Sequence, residues 1–311
     1  MTSAATHLRV GSHGQQNQNR VTNVVFFATH TTARDDSRLI RHYSQKMRRD
    51  ASLHAEAWTL LYEDSGKKEG HGYLDLHAWE NYTDARLFVW NEAKLFDLFS
   101  ALPVALASIP GVSQTKNIYL KRYFYFHASL LLWNTSHGQE YPHLRYWWRL
   151  ELDVVFPMGI GMVIRTASLQ NADVLLPKLI PASKNTQYQH FQKNTAWLSN
   201  ISRALWTWSL VSIGRYSSRF LRDIMRPQWQ SGQIAYEEIA LPTSCMISKW
   251  CEVRSFSNIS HPHLNMSNFR FRPEHACQDF LQSVLSTNKF EIWHPLKNRS
   301  CYTNYLEKFD K

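Results

Sequence analysis

Glu151 and Asp153 stand one residue apart inside an otherwise apolar, aromatic run, Tyr146-Trp147-Trp148-Arg149-Leu150-Glu151-Leu152-Asp153-Val154-Val155-Phe156. A strand this hydrophobic reads as buried on both faces, as at the centre of an α/β sheet. Taking a carboxylate out of water is costly without compensation, so two of them in a core need a reason. On a strand, residues i and i+2 share a side, so the two carboxylates converge if the strand ends about there. Open α/β sheets bind ligands at the carboxyl ends of their strands. Two hard oxygens in that place suit Mg²⁺ or Mn²⁺, which would carry substrate phosphates. The other use for such a pair is an inward salt bridge with Arg149 or Arg145.

Three more groups of residues have the types for related chemistry. Tyr236-Glu237-Glu238-Ile239-Ala240-Leu241-Pro242 sets two carboxylates side by side ahead of an apolar turn. On a helix they point about 100° apart, so one can face a cleft while the other is solvated. A carboxylate beside a substrate hydroxyl can act as general base; the plainer use is a charged face near a helix N-terminus. Phe290-Glu291-Ile292-Trp293-His294-Pro295-Leu296-Lys297 places His294 three residues before Lys297. A neutral imidazole can complete a metal shell, and an ammonium can neutralise a departing diphosphate. Lys116, Lys121 and Arg122 form the third group, at the start of an aromatic helix where cations can meet phosphates.

The elements that must position these groups alternate in type. Val24–His30 reads as a first strand and Asp35–Arg49 as a helix with an acidic start. Ala57–Tyr62 is a second strand closed by Glu63 and Asp64, followed by a polar Gly/Lys loop at Ser65–Gly72. A third strand at Arg86–Trp90 leads into a helix at about Glu92–Ala101, which Pro103–Gly111 interrupts. Tyr119, Tyr123, Phe126 and Leu130 recur at helical spacing over Asn117–Trp133. After the acidic strand come a short strand at Asp173–Pro177 and a segment, Trp206–Ile213, with either reading. Helices are expected at Arg215–Met225, Ile234–Ala240 and about Glu274–Leu285. This order predicts an α/β fold: a mainly parallel central sheet with helices on both faces, in a single large domain. Residues 1–21, polar and rich in Gln, Asn and Ser, read as a disordered leader.

Composition narrows the function classes. Hydrophobic residues make up 44% and charged residues 19% of 311 positions, which is a globular chain. The net charge is +10, yet its densest group, Arg38, Arg41, Lys46, Arg48 and Arg49, has the spacing of a solvated helix face. No nucleic-acid partner is expected, because there is neither a charge stripe nor a recognition motif. Aromatic residues at 14%, with twelve Trp, offer flat amphipathic faces that suit sugar rings as well as cores. All four cysteines, Cys245, Cys251, Cys277 and Cys301, fall in the last 70 residues without a CxxC pair. They fit two disulfides better than zinc. Sequons at Asn81, Asn134, Asn200, Asn258, Asn265 and Asn298 lean the same way, towards an oxidising secretory compartment and a glycoprotein. Met1–Arg20 has no apolar h-region and no run of 18 apolar residues occurs. Membrane association would need a segment outside this sequence, and a complete N-terminus would make the protein cytoplasmic.

Taken together, the first strand, the basic helix, the acidic strand end, the later acidic helix and the terminal His-x-x-Lys resemble a GT-A-type glycosyltransferase over residues 22–298. The resemblance implies a Rossmann-like nucleotide-binding half (22–156) and an acceptor half (157–311) with a Cys-containing tail. It implies Mn²⁺ or Mg²⁺ held by Glu151, Asp153 and His294 on a nucleotide-sugar diphosphate, with Lys297, Lys121 and Arg122 on phosphates. Thr29 and His30, with Glu63 or Asp64, would lie near the nucleoside, and Glu237 or Glu238 would be the base or hold the acceptor hydroxyl. The partners implied are a nucleotide-sugar donor and a glycan, glycoprotein or glycolipid acceptor, in the Golgi or ER lumen. The chain departs from the family's Asp-x-Asp by having Glu first, one methylene longer. That departure motivates an alternative, a non-catalytic glycan- or nucleotide-binding protein of the same fold. Other classes lack their motifs: the residues after Phe27, Ala-Thr-His-Thr-Thr-Ala, contain no glycine for a phosphate loop, and no Gly-x-Ser-x-Gly elbow exists.

Overall fold

The computed structural model describes residues 20–63, 75–109, 111–112, 121–185, 188–192, 195–259, 265–286 and 291–309. The leader up to residue 19, the Ser65–Gly72 loop and most of the first part of the expected aromatic helix lie outside them.

A seven-stranded sheet carries the fold. β1 (Asn23–Thr29) pairs in parallel with β2 (Ala55–Tyr62) on one side and β4 (Tyr146–Glu151) on the other, and β3 (Arg86–Trp90) extends the parallel set beyond β2. β8 (Ile213–Ser217) runs antiparallel beside β4, and β5 (Val174–Leu176) and β9 (Val253–Ser255) complete the order β3-β2-β1-β4-β8-β5-β9. β8 alone opposes the others, so the sheet is mainly parallel, as the alternation of elements implies. The separate pair β6 (Ile180–Pro181) and β7 (Thr207–Trp208) lies outside it.

Both faces of the sheet are covered, which is why its strands read as unbroken apolar runs. Val24 and Phe26 of β1 enter one core with the helices at Ala128–His137 and Glu237–Ile247. Val25 and Phe27 enter the other, with the helices at Arg34–Arg49, Ile160–Ser168, Cys277–Ser286 and Arg299–Phe309. The helix at Arg34–Arg49 follows its sequence signals closely. Asp35 and Asp36 sit in its first turn and Lys46, Arg48 and Arg49 in its last, matching the dipole, while Leu39, Ile40, Tyr43 and Met47 are buried. Phe156, at the end of the acidic run, is fixed by a circuit: its N–H donates to Tyr43, whose hydroxyl donates to Tyr302, which donates to the Phe156 carbonyl.

Several segments differ from the sequence reading. Arg215 belongs to a strand, not to a helix: β8 runs to Ser217, and a helical segment 218–230 begins only then. The aromatic helix is regular only at Ala128–His137; residues 123–127 ahead of it are consecutive turns held by bonds such as Phe124 N–H to the Lys121 carbonyl and Phe126 N–H to the Arg122 carbonyl, which keep the near-helical spacing of the aromatic residues. Pro103 is the third residue of a helix at Ala101–Ala107 that stands in place of the expected interruption, which its fixed φ and missing donor permit in a first turn. The acidic helix runs Glu237–Ile247 with Pro242 inside it. A helix at Leu76–Thr83 was not apparent in the sequence; Asp75 caps it by accepting from the Ala78 N–H at 2.8 Å.

Two disulfides form, as the cysteines allow, with the pairing Cys245–Cys251 and Cys277–Cys301 out of three possible, and among the described residues no helix is long and apolar enough to cross a membrane. Cys277–Cys301 ties together two helices that cover one face of the sheet. Replacing both of its cysteines by serine is expected to cost about 2–4 kcal/mol of stability. Thermal unfolding with and without reductant checks this: reductant should lower the wild-type melting temperature and leave a smaller effect in the double variant.

Candidate metal centre

The acidic pair closes the carboxyl end of β4. Ala28 of β1 is in register with Glu151, so Thr29 ends beside it, and Glu63 follows β2 along the same edge. Leu152 and Asp153 form a turn that leaves the sheet, and the chain from Glu291 to Lys297 comes back to meet it. Val155 and Trp293 exchange backbone hydrogen bonds at 2.9 and 3.0 Å, and the Leu296 N–H donates to the Asp153 carbonyl. This bridge delivers His294 and Lys297 to the acids. Oxygens of Glu151 and Asp153 and a ring nitrogen of His294 lie within 4.8 Å of one another.

These residues fit a divalent cation. His294 Nδ1 donates to the Arg270 carbonyl at 2.7 Å, which fixes the tautomer and turns the Nε2 lone pair towards Asp153, 3.7 Å away. The Phe269 ring stacks on the imidazole at 4.7 Å and holds its plane. Asp153 Oδ1 is buried and has no hydrogen-bond partner, an arrangement that is costly unless something else occupies it. Two carboxylates with one imidazole make a donor set that suits Mn²⁺, and Mg²⁺ less well.

Cations already lean on the same acids. Arg149, buried on the same side of β4, approaches Glu151 at 3.5 Å, and Lys297 Nζ lies 3.1 Å from Asp153 Oδ2. The inward salt bridge therefore exists, through Arg149; Arg145 instead faces the Tyr146 ring. Deeper in, Asp36 is paired with Arg299 at 2.7 Å and receives the Thr29 hydroxyl at 3.4 Å. Burial pushes the Asp36 carboxyl above its ordinary range against the pull of Arg299, and the charge of Asp153 adds to the rise.

Glu237 and Glu238 are both buried, so neither forms the solvated face that the helix geometry allowed. Glu237 accepts from the His127 backbone N–H and from its Nδ1, both at 2.7 Å, and His127 Nε2 meets the Tyr216 hydroxyl at 2.9 Å. Burial holds this imidazole below its ordinary value in spite of Glu237. Glu238 accepts a short hydrogen bond from the Tyr188 hydroxyl, and Tyr188 lies flat on Trp208 at 4.2 Å. Burial pushes the Glu238 carboxyl up to about 8; the Tyr188 bond opposes this and the nearby charge of Glu151 assists it.

The remaining sequence candidates are more scattered. His30 is exposed, Glu63 accepts from Asn91 at 3.2 Å, and Asp64 lies outside the described residues. Lys121 is half-buried. Arg122 is buried with its guanidinium 3.4 Å from the centre of the Tyr62 ring, far from the exposed cation expected at a helix start. Sequence reasoning missed Asp36, Arg299, His127 and Tyr188. Of these, Arg299 lies two residues after Lys297 and Asp36 sits in an acidic first turn, where it was read only as a helix signal.

No protein-family model matches the chain, and no curated protein matches it in sequence. A solved structure of mouse xyloside xylosyltransferase 1, apo form, aligns with 90% of this chain and 98% of its own at 9% identity and a TM-score of 0.42. At that level the similarity carries no inference about activity.

Two measurements probe the centre. Lys297 shares Asp153 with any bound cation, so Lys297→Ala is expected to tighten Mn²⁺ binding by roughly two- to fivefold without nucleotide. Asp153→Asn should weaken it; manganese titration followed by electron paramagnetic resonance reads both, and unchanged affinity in either variant contradicts the assignment. For Glu238 the folded carboxyl titrates above its unfolded value of 4.5. The unfolded chain therefore binds fewer protons between those two values, and stability falls as pH rises from about 4.5 towards 8. Glu238→Gln should remove part of that slope, so melting curves of variant and wild type should diverge in the variant's favour between pH 5 and 8.

Proposed function

We propose that this protein is a divalent-metal-dependent glycosyltransferase that moves a sugar from a nucleotide-sugar donor to a hydroxyl of a glycan, glycoprotein or glycolipid. The observation that carries this reading is the convergence of Glu151, Asp153 and His294 at the carboxyl edge of the parallel sheet, with one buried Asp153 oxygen lacking a partner. The resemblance drawn from the sequence motifs supplies the substrate class. When bound there, Mn²⁺ would neutralise the diphosphate of the donor as it leaves. Lys297, 58% exposed on its side chain, is free to swing from Asp153 to a phosphate oxygen. Thr29, His30 and Glu63 would face the nucleoside along the same edge.

Glu238 would take the proton of the acceptor hydroxyl. Its burial makes it a stronger base than an ordinary carboxylate, and Tyr188 and Trp208 hold it in place. Glu237 is tied to His127 on both oxygens and would position the helix, not react. The two disulfides and the sequons support a secretory lumen as the site of action.

One observation favours a second reading, a non-catalytic binding protein: Arg149 and Lys297 already offset the acids without a metal. Melting temperature against nucleoside diphosphates and nucleotide sugars, with Mn²⁺ or with EDTA, separates the two. The transferase reading expects one nucleotide to stabilise the fold only with Mn²⁺, an effect abolished in Asp153→Ala. It also expects Glu238→Gln to lower transfer about 10²- to 10⁴-fold while that stabilisation persists. Nucleotide binding indifferent to EDTA, with no turnover, would establish the second reading instead.

A further inference from the structure

A cleft of about 570 Å³, within the range of small-ligand sites, lies against the metal centre. It shares walls with two groups of that centre. Phe269 lines the cleft and stacks on His294, and the Arg270 carbonyl holds the His294 ring. On the other side Trp208 lines it and stacks on Tyr188, whose hydroxyl holds Glu238. Whatever occupies this space is one side chain away from both the candidate ligand and the candidate base.

The wall formed by residues 265–271 is anchored. Glu291, itself buried, accepts from Ser267 at 3.1 Å, from Asn268 at 2.5 Å and from Ser283 at 3.1 Å. That clamp holds Phe269 and Arg270 at the cleft, with Phe271, which is 51% exposed. The indole N–H of Trp208 is buried without a hydrogen-bond partner. Aromatic faces suit sugar rings, which present apolar C–H faces and hydroxyl edges.

The charges of the cleft are of one sign. Lys178 and Arg270 line it, and no Asp or Glu does so among the described residues. Arg270 donates to the Pro273 carbonyl at 2.8 Å and to the His275 ring at 3.1 Å, partners that fix the guanidinium without cancelling its charge. The groove at the opposite end of the sheet differs, since Asp50, Glu56, Glu80 and Asp84 line it beside its arginines. Resting on the transferase reading above, we infer that this cleft holds the part of the acceptor beside the reacting sugar and that its occupant is an acidic saccharide, a sugar bearing a carboxylate or sulfate.

Calorimetric titration of the full chain in EDTA tests the cleft without involving donor or metal. The probes are the glucuronate-containing disaccharide of hyaluronan and neutral chitobiose. The acidic disaccharide should bind about tenfold more tightly, and Lys178→Gln should erase most of that preference. Phe271→Ala should weaken both sugars. Both positions are exposed or half-exposed, and both variants should keep the manganese-dependent nucleotide stabilisation of the wild type. Equal affinity for the two sugars, no binding of either, or an unaltered preference in Lys178→Gln overturns the inference while leaving the donor site standing. Binding with the expected preference in a chain that shows no nucleotide response supports the cleft and removes the transferase reading.

Discussion

A carboxylate cannot be left bare in an apolar core, and the arrangement of this molecule follows from how each buried acid is answered. Asp173 receives Arg219 and Ser217, and those partners hold its carboxyl below the ordinary range even against burial. Asp36 receives Arg299, Glu237 receives His127, and Glu291 receives a serine and asparagine clamp. Each pairing also ties distant parts of the chain together, so the acids act as fasteners. Asp153 is the exception. One of its oxygens faces Lys297 and the other has no hydrogen-bond partner, only His294 Nε2 at 3.7 Å, on a turn where three candidate ligand atoms already converge.

The same constraint shapes the sheet beside the site. Arg149 and Gly214 are paired across β4 and β8, and a methyl group on Gly214 would lie 2.2 Å from the Tyr216 hydroxyl. Without a side chain there, Tyr216 can fold its hydroxyl back to His127, which in turn is held by Glu237. A glycine in a strand usually weakens it; here it makes room for a polar chain that reaches from the sheet to the acidic helix. Arg215, the next residue, points to the other face and is fully buried, its two terminal nitrogens donating to the carbonyls of Ala167, Gln170 and Ala172 while Nε has no hydrogen-bond partner.

That buried arginine explains one limit of sequence reading. Arg215, Arg219, Arg222 and Arg226 recur every three or four residues, so the run looks like the charged side of a helix. Only tertiary carbonyls make it possible for the first of them to sit in a strand. The β1–β4 core was legible because doubly buried parallel strands leave long apolar runs, and the acidic pair was legible because it interrupts one. His294 and Lys297 could be singled out by type, but nothing in the sequence states that Val155 pairs with Trp293. The burial of both Glu237 and Glu238 was equally hidden, since their partners, His127 and Tyr188, come from segments far away in the chain. Pairings of that kind are set by packing, not by local pattern.

The Val155–Trp293 bridge gives the centre a place in time. Asp153 and His294 are more than a hundred residues apart, and the strands β1 to β4 precede both the bridge and the helices that cover it. Domains emerge from synthesis N-terminal part first. A nascent chain can therefore lay down its parallel strands and both acids well before the imidazole exists. The three candidate ligands are together only once the last segment has closed over the sheet, so the completed cluster records that the chain has finished folding.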